Sequence, residues 1–267
     1  MVEKVAWFDA SEFEKSYLED QETGFEIEFF DKPLNKDTVE LAEGFDAVTV
    51  FIDSDVDKEV LEKLDADVVA CRSTGFDHVD TETAEEMDIE VCNVPDYSTD
   101  TVAEHTFALL LAISRKLYDA INKVKEGKFT HEGLRGFDLK WKTMGIVGTG
   151  SIGKHAIRIA KGFGMEVIAY DPYPDEDFAS EMDFEYVSMD ELVQKTDIIS
   201  LHCPLTDENE HMLSGDEFEK MDGTVVINTS RGGLIDTEAL IKALEDGNVK
   251  AAGLDVLEDE CYMSDDI

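Results

Sequence analysis

The sequence predicts a two-domain α/β chain with mainly parallel sheets. Three observations carry that prediction. Short apolar runs alternate with helical stretches from residue 4 to about 95, the same alternation restarts at Thr143, and one long helical stretch lies between the two series. With 267 residues, 43% of them hydrophobic, the chain is long enough to bury two modest cores.

In the first series, segments 5–8, 25–29, 47–52, 68–71 and 89–94 are short, rich in β-branched and aromatic residues, and read as strands. Helices are expected between them at 12–18, 38–42, 57–64 and 81–87. Ser98 is placed to cap one long helix over 99–126, whose apolar stripe runs through Val102, Phe107, Leu110, Leu111 and Ile113. That helix reads as a connector, with the domain boundary near residue 99. The second series begins with a strand at 143–147, a helix at 151–163 and a strand at 166–170. Strands at 198–202, 225–229 and 251–256 follow, separated by helices at 189–194, 215–220 and 237–244. No internal repeat or low-complexity linker interrupts either series.

The longest apolar run, 107–113, is far short of the roughly 18 residues of a membrane span. The start, Met1-Val2-Glu3-Lys4, leads straight into a strand without a basic leader. A cytoplasmic protein with no membrane partner is expected. The formal net charge of −40, from 63 acidic and 23 basic residues, argues against nucleic acid, because no basic stripe offers phosphate neutralisation. The acids are scattered along the whole chain, so the charge is a property of the whole surface. Its self-repulsion would be screened at about 1 M salt, where the Debye length is roughly 3 Å, and a halophilic setting is expected; an ordinary acidic protein is the alternative. Cys71, Cys92, Cys203 and Cys261 form no Cys-x-x-Cys pair and have no histidine at ligand spacing, so reduced thiols and no metal site are expected.

Gly148-Thr149-Gly150-Ser151-Ile152-Gly153 follows a strand, opens a helix and is succeeded by a strand ending at Asp171. Gly148 allows a tight turn, Gly150 lets a pyrophosphate approach the backbone, and Gly153 brings helix and strand together. Asp171 is placed to accept from a ribose 2′-hydroxyl and to repel a 2′-phosphate, which favours NAD over NADP. Further on, Thr229-Ser230-Arg231-Gly232 leaves a strand at its carboxyl end, where a planar guanidinium suits a substrate carboxylate. Taken alone, Arg231 reads equally well as a solvated loop arginine.

Seven segments carry a resemblance: residues 72–77, 93–98 and 102–106, the glycine turn with 170–174, and then 201–206, 228–232 and 253–256. Together they resemble the D-isomer-specific 2-hydroxyacid dehydrogenase family, most closely its fermentative D-lactate dehydrogenases. The resemblance implies two Rossmann-like or flavodoxin-like parallel-sheet domains with an inter-domain cleft. Residues 1–99 would be the substrate domain, without its C-terminal return segment, and 100–267 the NAD-binding domain. It implies an NAD-dependent enzyme reducing a small 2-oxo acid, with pyruvate to D-lactate the leading expectation, and a homodimer.

By the same resemblance, Arg231 would hold the substrate carboxylate and carbonyl, and Glu260 would tune a catalytic histidine, with Glu258 a nearby decoy. The amides of Thr74 and Gly75 would bind the carboxylate, and Tyr97 and Phe51 would border a methyl-sized pocket. Ser151 and Ile152 would meet the pyrophosphate, Cys203, Pro204 and Asn209 the adenosine end, and Thr229 and Asp255 the nicotinamide end, with Ser230 also binding the cofactor. The family's histidine falls a few tens of residues after the glutamate, and this sequence stops at Ile267, so an incomplete copy is expected; an NAD-binding regulator or inactive fragment is the alternative. His78, His105, His131, His155, His202 and His211 read as structural rather than catalytic. Trp141 stands where the family usually has glycine and would have to face solvent or repack its turn.

Overall fold

Five short strands, β1 (Lys4–Trp7), β2 (Glu26–Phe29), β3 (Ala47–Val50), β4 (Val68–Cys71) and β5 (Glu90–Cys92), pair in parallel in the order β2-β1-β3-β4-β5. The computed structural model describes residues 2–258, and these divide between Tyr97 and Ser98 into two compact units. In the first unit, all four residues of β3 are buried, as expected of a central strand covered on both faces. Phe8, Leu34, Val48, Val50, Leu61 and Val69 close the core around it.

The helices of this unit start on side-chain caps. Ser11 and Glu14 form a capping box on α1 (Glu12–Glu19), Asp57 caps α2 (Lys58–Leu61) and Asp80 caps α3 (Thr81–Glu86). Residues 39–42 are a 3-10 turn rather than the expected α-helix, because Thr38 folds its hydroxyl back on the Pro33 carbonyl (2.6 Å) and Gly44, at φ 79°, turns the chain away. Cys71 is buried, whereas Cys92, on the edge strand β5, is exposed.

The second unit opens with a break where one long helix was expected. Helix α4 (Thr99–Ser114) ends at Arg115, Lys116 turns left-handed at φ 51°, and α5 (Leu117–Lys125) starts afresh. The cause is a crossing segment: the Ser114 carbonyl, which a continuous helix would pair internally, accepts from Phe137 N (3.1 Å) instead. A Cβ on Gly136 would sit 1.9 Å from that carbonyl oxygen, so only glycine lets the crossing chain come so close. Ser98 occupies the N-cap position of α4, but with φ −114° and ψ 9° its backbone is not extended and its side chain makes no cap bond.

Strands β6 (Thr143–Val147), β7 (Glu166–Tyr170), β8 (Glu185–Tyr186), β9 (Ile198–Leu201), β10 (Thr224–Asn228) and β11 (Val249–Leu254) form an all-parallel sheet in the order β11-β10-β9-β6-β7-β8. Helices α6 (Ser151–Gly162), α7 (Glu176–Met182), α8 (Met189–Lys195), α9 (Gly215–Phe218) and α10 (Thr237–Asp246) alternate with them. β8 and α7 were not expected; β8 is a two-residue edge strand, too short to leave a pattern, and α7 begins on Asp175, which accepts from Phe178 N (3.0 Å). Asp57, Asp80, Asp175 and Asp236 all cap helices, so part of the acidic surplus holds amides at helix starts. Trp141 takes the solvent-facing alternative: it sits at φ 65° and is 78% exposed, with Lys140 Nζ 4.5 Å from its ring centre. No described helix is long and apolar enough to cross a membrane.

Candidate functional site

The strand register of the second unit lines up the ends of five strands. Tyr170 pairs with Val147, Val147 with Leu201, Leu201 with Asn228, and Asn228 with Leu254. The next residues, Asp171, Gly148, His202, Thr229 and Asp255, therefore leave the sheet in one row at its carboxyl edge. Between β6 and β9 the strand order reverses, since the chain goes from β6 to β7 and β8 on one side and returns to β9 on the other. In open parallel sheets that reversal opens the crevice where ligands bind.

The turn at this point can be built only from glycine at two positions. Gly148 lies at φ 90°, and a Cβ there would come within 2.7 Å of Cys203 N; a Cβ on Gly153 would come within 2.1 Å of the Gly148 oxygen. Gly150 is different, because nothing lies within 4 Å of its Cβ position. It is the N-cap of α6, so open space faces a helix start whose first amides have no acceptor within the helix. Asp171 stands beside this cradle. Its Oδ2 accepts from Thr149 N (2.6 Å) and Thr149 Oγ1 (2.9 Å), and its Oδ1 from Tyr173 N (2.8 Å). A carboxylate oxygen has two acceptor directions, so Oδ1 keeps capacity for a ribose hydroxyl. Open backbone at a helix start with a fixed carboxylate alongside fits an NAD dinucleotide. His202, beneath the turn, is pulled down to about 4 by burial and is neutral; its Nε2 meets Ser200 Oγ at 2.9 Å.

The sequence model of the D-isomer specific 2-hydroxyacid dehydrogenase NAD binding domain matches residues 107–266, which include the turn, Asp171 and Arg231. The chain belongs to the D-isomer specific 2-hydroxyacid dehydrogenase family. It is thus an NAD-dependent oxidoreductase acting on CH–OH groups. A 2-hydroxyacid dehydrogenase homolog of Haemophilus influenzae is 43% identical over 96% of this chain and 79% of its own length. The D-lactate dehydrogenase of Escherichia coli is 41% identical over 96% and 80%. Among solved structures, the Aquifex aeolicus D-lactate dehydrogenase complexed with NAD and lactic acid superposes with a TM-score of 0.90 at 32% identity, covering 97% of this chain and 78% of that one.

The other sequence-selected residues that the structure describes follow the carboxyl ends of strands in both units. In the second unit, burial pushes the Cys203 thiol up to about 11, so it stays protonated, and its carbonyl accepts from Ser230 Oγ (2.5 Å). Pro204 and Asn209 close a loop, with Asn209 Nδ2 donating to the Pro204 carbonyl and Oδ1 accepting from Thr206 N, each at 2.8 Å. Asn209 therefore shapes that loop. Asn228 braces the following turn, donating to the Arg231 carbonyl (2.8 Å) and accepting from Ser230 N (3.0 Å). Thr229 meets Thr106 of α4 hydroxyl to hydroxyl at 2.9 Å, and Asp255 meets His105 Nε2 at 3.1 Å.

In the first unit, Phe51 follows β3, Thr74 and Gly75 follow β4, and Tyr97 comes after β5. Glu260 and Cys261 lie outside the described residues. Glu258 does not stand idle: its carboxylate accepts from Thr237 N (3.1 Å) and pairs with His211 Nε2. The hydrogen bonds from Thr237, opposed by burial and joined by the one from His211, hold Glu258 below the usual carboxylate range, and the Glu258 bond raises His211. Thr149 and Thr106 were not singled out as site residues from the sequence, although both lie in the segments that carry the resemblance.

Proposed function

We propose that this dehydrogenase reduces pyruvate to D-lactate. The reading is carried by the row at the carboxyl edge of the second sheet, where the glycine turn, Asp171 and the Ser230-Arg231 turn emerge in one register. Relatives named D-lactate dehydrogenase, one of them solved with NAD and lactic acid, support the choice of substrate.

Bound at the glycine turn, NADH would supply a hydride for the carbonyl carbon of the acid. Gly148 and Gly153 shape the turn, Gly150 leaves its backbone open, Ser151 and Ile152 would meet the pyrophosphate, and Asp171 would hold the adenosine ribose. Cys203, Pro204 and Asn209 border the adenosine, while Thr229, Ser230 and Asp255 border the nicotinamide. Arg231 grips the substrate carboxylate and carbonyl oxygen and stabilises the negative charge that develops on that oxygen. The amides of Thr74 and Gly75 share the carboxylate, and Phe51 and Tyr97 leave room for a methyl group. Glu260 is the acid assigned to orient the histidine that would deliver the proton to the carbonyl oxygen, which by the family resemblance comes after the glutamate and is none of the six in this sequence.

The reading includes a homodimer formed through the second unit. Leu117, Ile121 and Val124 make an exposed apolar stripe at helical spacing on α5, beside the exposed Tyr118. A cytoplasmic location suits the free thiols of Cys71 and Cys203. The surplus of 63 acidic over 23 basic residues calls for a saline medium.

The deciding experiment follows NADH oxidation with pyruvate and resolves the product on a chiral column. D-lactate is expected; L-lactate, or turnover of larger 2-oxo acids with none of pyruvate, would overturn the reading. Light scattering should give twice the chain mass, and thermal midpoints should rise with sodium chloride.

A further inference from the structure

Arg72 follows β4 directly and precedes the 73–75 turn, yet no role above involves it. Its side chain is only 13% exposed, and its guanidinium meets five groups. Nε donates to Glu14 Oε1 (2.9 Å), Nη1 to Thr49 Oγ1 (2.8 Å) and Nη2 to the Asp9 carbonyl (3.1 Å). Its central carbon lies 4.8 Å from the ring centre of Trp7 and 5.7 Å from that of Phe51. One cation thus joins the ends of β1, β3 and β4 to α1.

Asp9 extends this grip to Phe51. At φ 52° it turns its carbonyl to Arg72, while its Oδ2 accepts from Phe51 N (3.3 Å) and Ser54 Oγ (2.6 Å). Phe51 is therefore held by its ring through Arg72 and by its amide through Asp9. On the other side of Arg72, the Ser73 carbonyl accepts from Val94 N (3.1 Å) and the Thr74 carbonyl from Asn93 Nδ2 (2.7 Å). In a trans peptide the N–H points opposite to the C=O, so anchoring these two carbonyls turns the N–H groups of Thr74 and Gly75 to the other side.

We propose that Arg72 is a positioning residue for the substrate. It fixes the Phe51 ring and the base of the 73–75 turn, and so sets both how firmly the acid's carboxylate is held and how large a side chain is admitted. The inference rests on the assignment of Phe51, Thr74 and Gly75 to the substrate. Lysine cannot replace the arginine, because the role needs three donors in a rigid fork and a flat face for two rings.

The test uses the full chain with R72K, R72M and E14Q. Each is titrated with NADH, then with oxamate, an unreactive 2-oxo acid analogue, in the presence of NADH. Each is also assayed for kcat/KM on pyruvate and on 2-oxobutanoate. R72K and R72M should weaken oxamate about tenfold or more and reduce the preference for pyruvate several-fold, with NADH affinity within twofold of wild type. E14Q, which keeps an acceptor for Nε, should fall between them and wild type. A merely structural arginine would lower thermal stability and leave oxamate affinity and size preference unchanged, which overturns the inference. If R72M binds no NADH, R72K and E14Q decide by the same readings. If wild type binds NADH but neither binds oxamate nor turns over a 2-oxo acid, the substrate assignment itself fails and takes the inference with it.

Discussion

The two sheets present loops at their carboxyl edges by opposite means. In the second unit the edge is made of backbone: two glycines that tolerate no Cβ, a helix start, and five strands ending in one register line. In the first unit the edge is held by side chains gathered around a partly buried guanidinium. Backbone fits a cofactor that is always the same, whereas side chains suit a substrate whose size must be discriminated. The contrast teaches that damage to the backbone of the second edge should be severe, and damage to the first edge graded.

The largest effect should come from Gly153→Ala, whose Cβ would overlap the Gly148 oxygen at 2.1 Å. NADH affinity should fall by about 100-fold or more, measured by fluorescence titration, because packed backbone cannot yield. Wild-type affinity in this variant would break the comparison at its stronger end. Next, Asp171→Ala removes the acceptor of three hydrogen bonds from the second edge. It should weaken NADH by roughly 10- to 100-fold while NADPH loses less, since hydrogen bonds to a charged group contribute about 1.5–3 kcal/mol. Equal loss for both cofactors would refute the ribose assignment.

A smaller effect should appear in the first edge under acid. Burial works to raise Glu14, but the bonds from the Ser11 amide and hydroxyl and the Arg72 charge outweigh it and hold the carboxyl below its ordinary range. A depressed carboxylate stabilises the fold above its unfolded pKa, and that stability is lost as pH falls through the folded value. Thermal midpoints should therefore drop below roughly pH 4.3 more steeply in wild type than in E14Q. Parallel curves would show that the guanidinium network does not depend on this charge. The smallest effect belongs to Trp141→Gly, which relieves a left-handed backbone at an exposed site. A gain of about 0.5–1 kcal/mol is expected from denaturant unfolding, because the relief of strain exceeds the entropy that glycine adds to the unfolded chain.

How much of this could be read beforehand depended on the distance over which each constraint acts. The glycine turn and its acid were legible because the requirement is local: a tight turn, a close approach and a helix start within six residues. Strands with apolar runs were legible for the same reason. The Arg72 cluster was not, since its hydrogen-bond partners lie 58, 23 and 63 residues away along the chain. The break after Ser114 was hidden because its cause, the segment at 136–137, comes some twenty residues later. Trp141 was half legible, as a residue out of place whose outward turn the surrounding sequence could not decide.

The register line of the second sheet also bears on how such a protein changes over generations. A strand advances about 3.3 Å per residue and turns successive side chains to opposite faces. One residue inserted in β10 would push Thr229, and Arg231 with it, out of line with Gly148 and Asp255 and send side chains fitted to one face of the sheet to the other. Insertions and deletions should therefore be excluded from the strands and gather in the loops beyond the row. A lineage can then acquire a new substrate by rewriting those loops, while the strands beneath keep the same count.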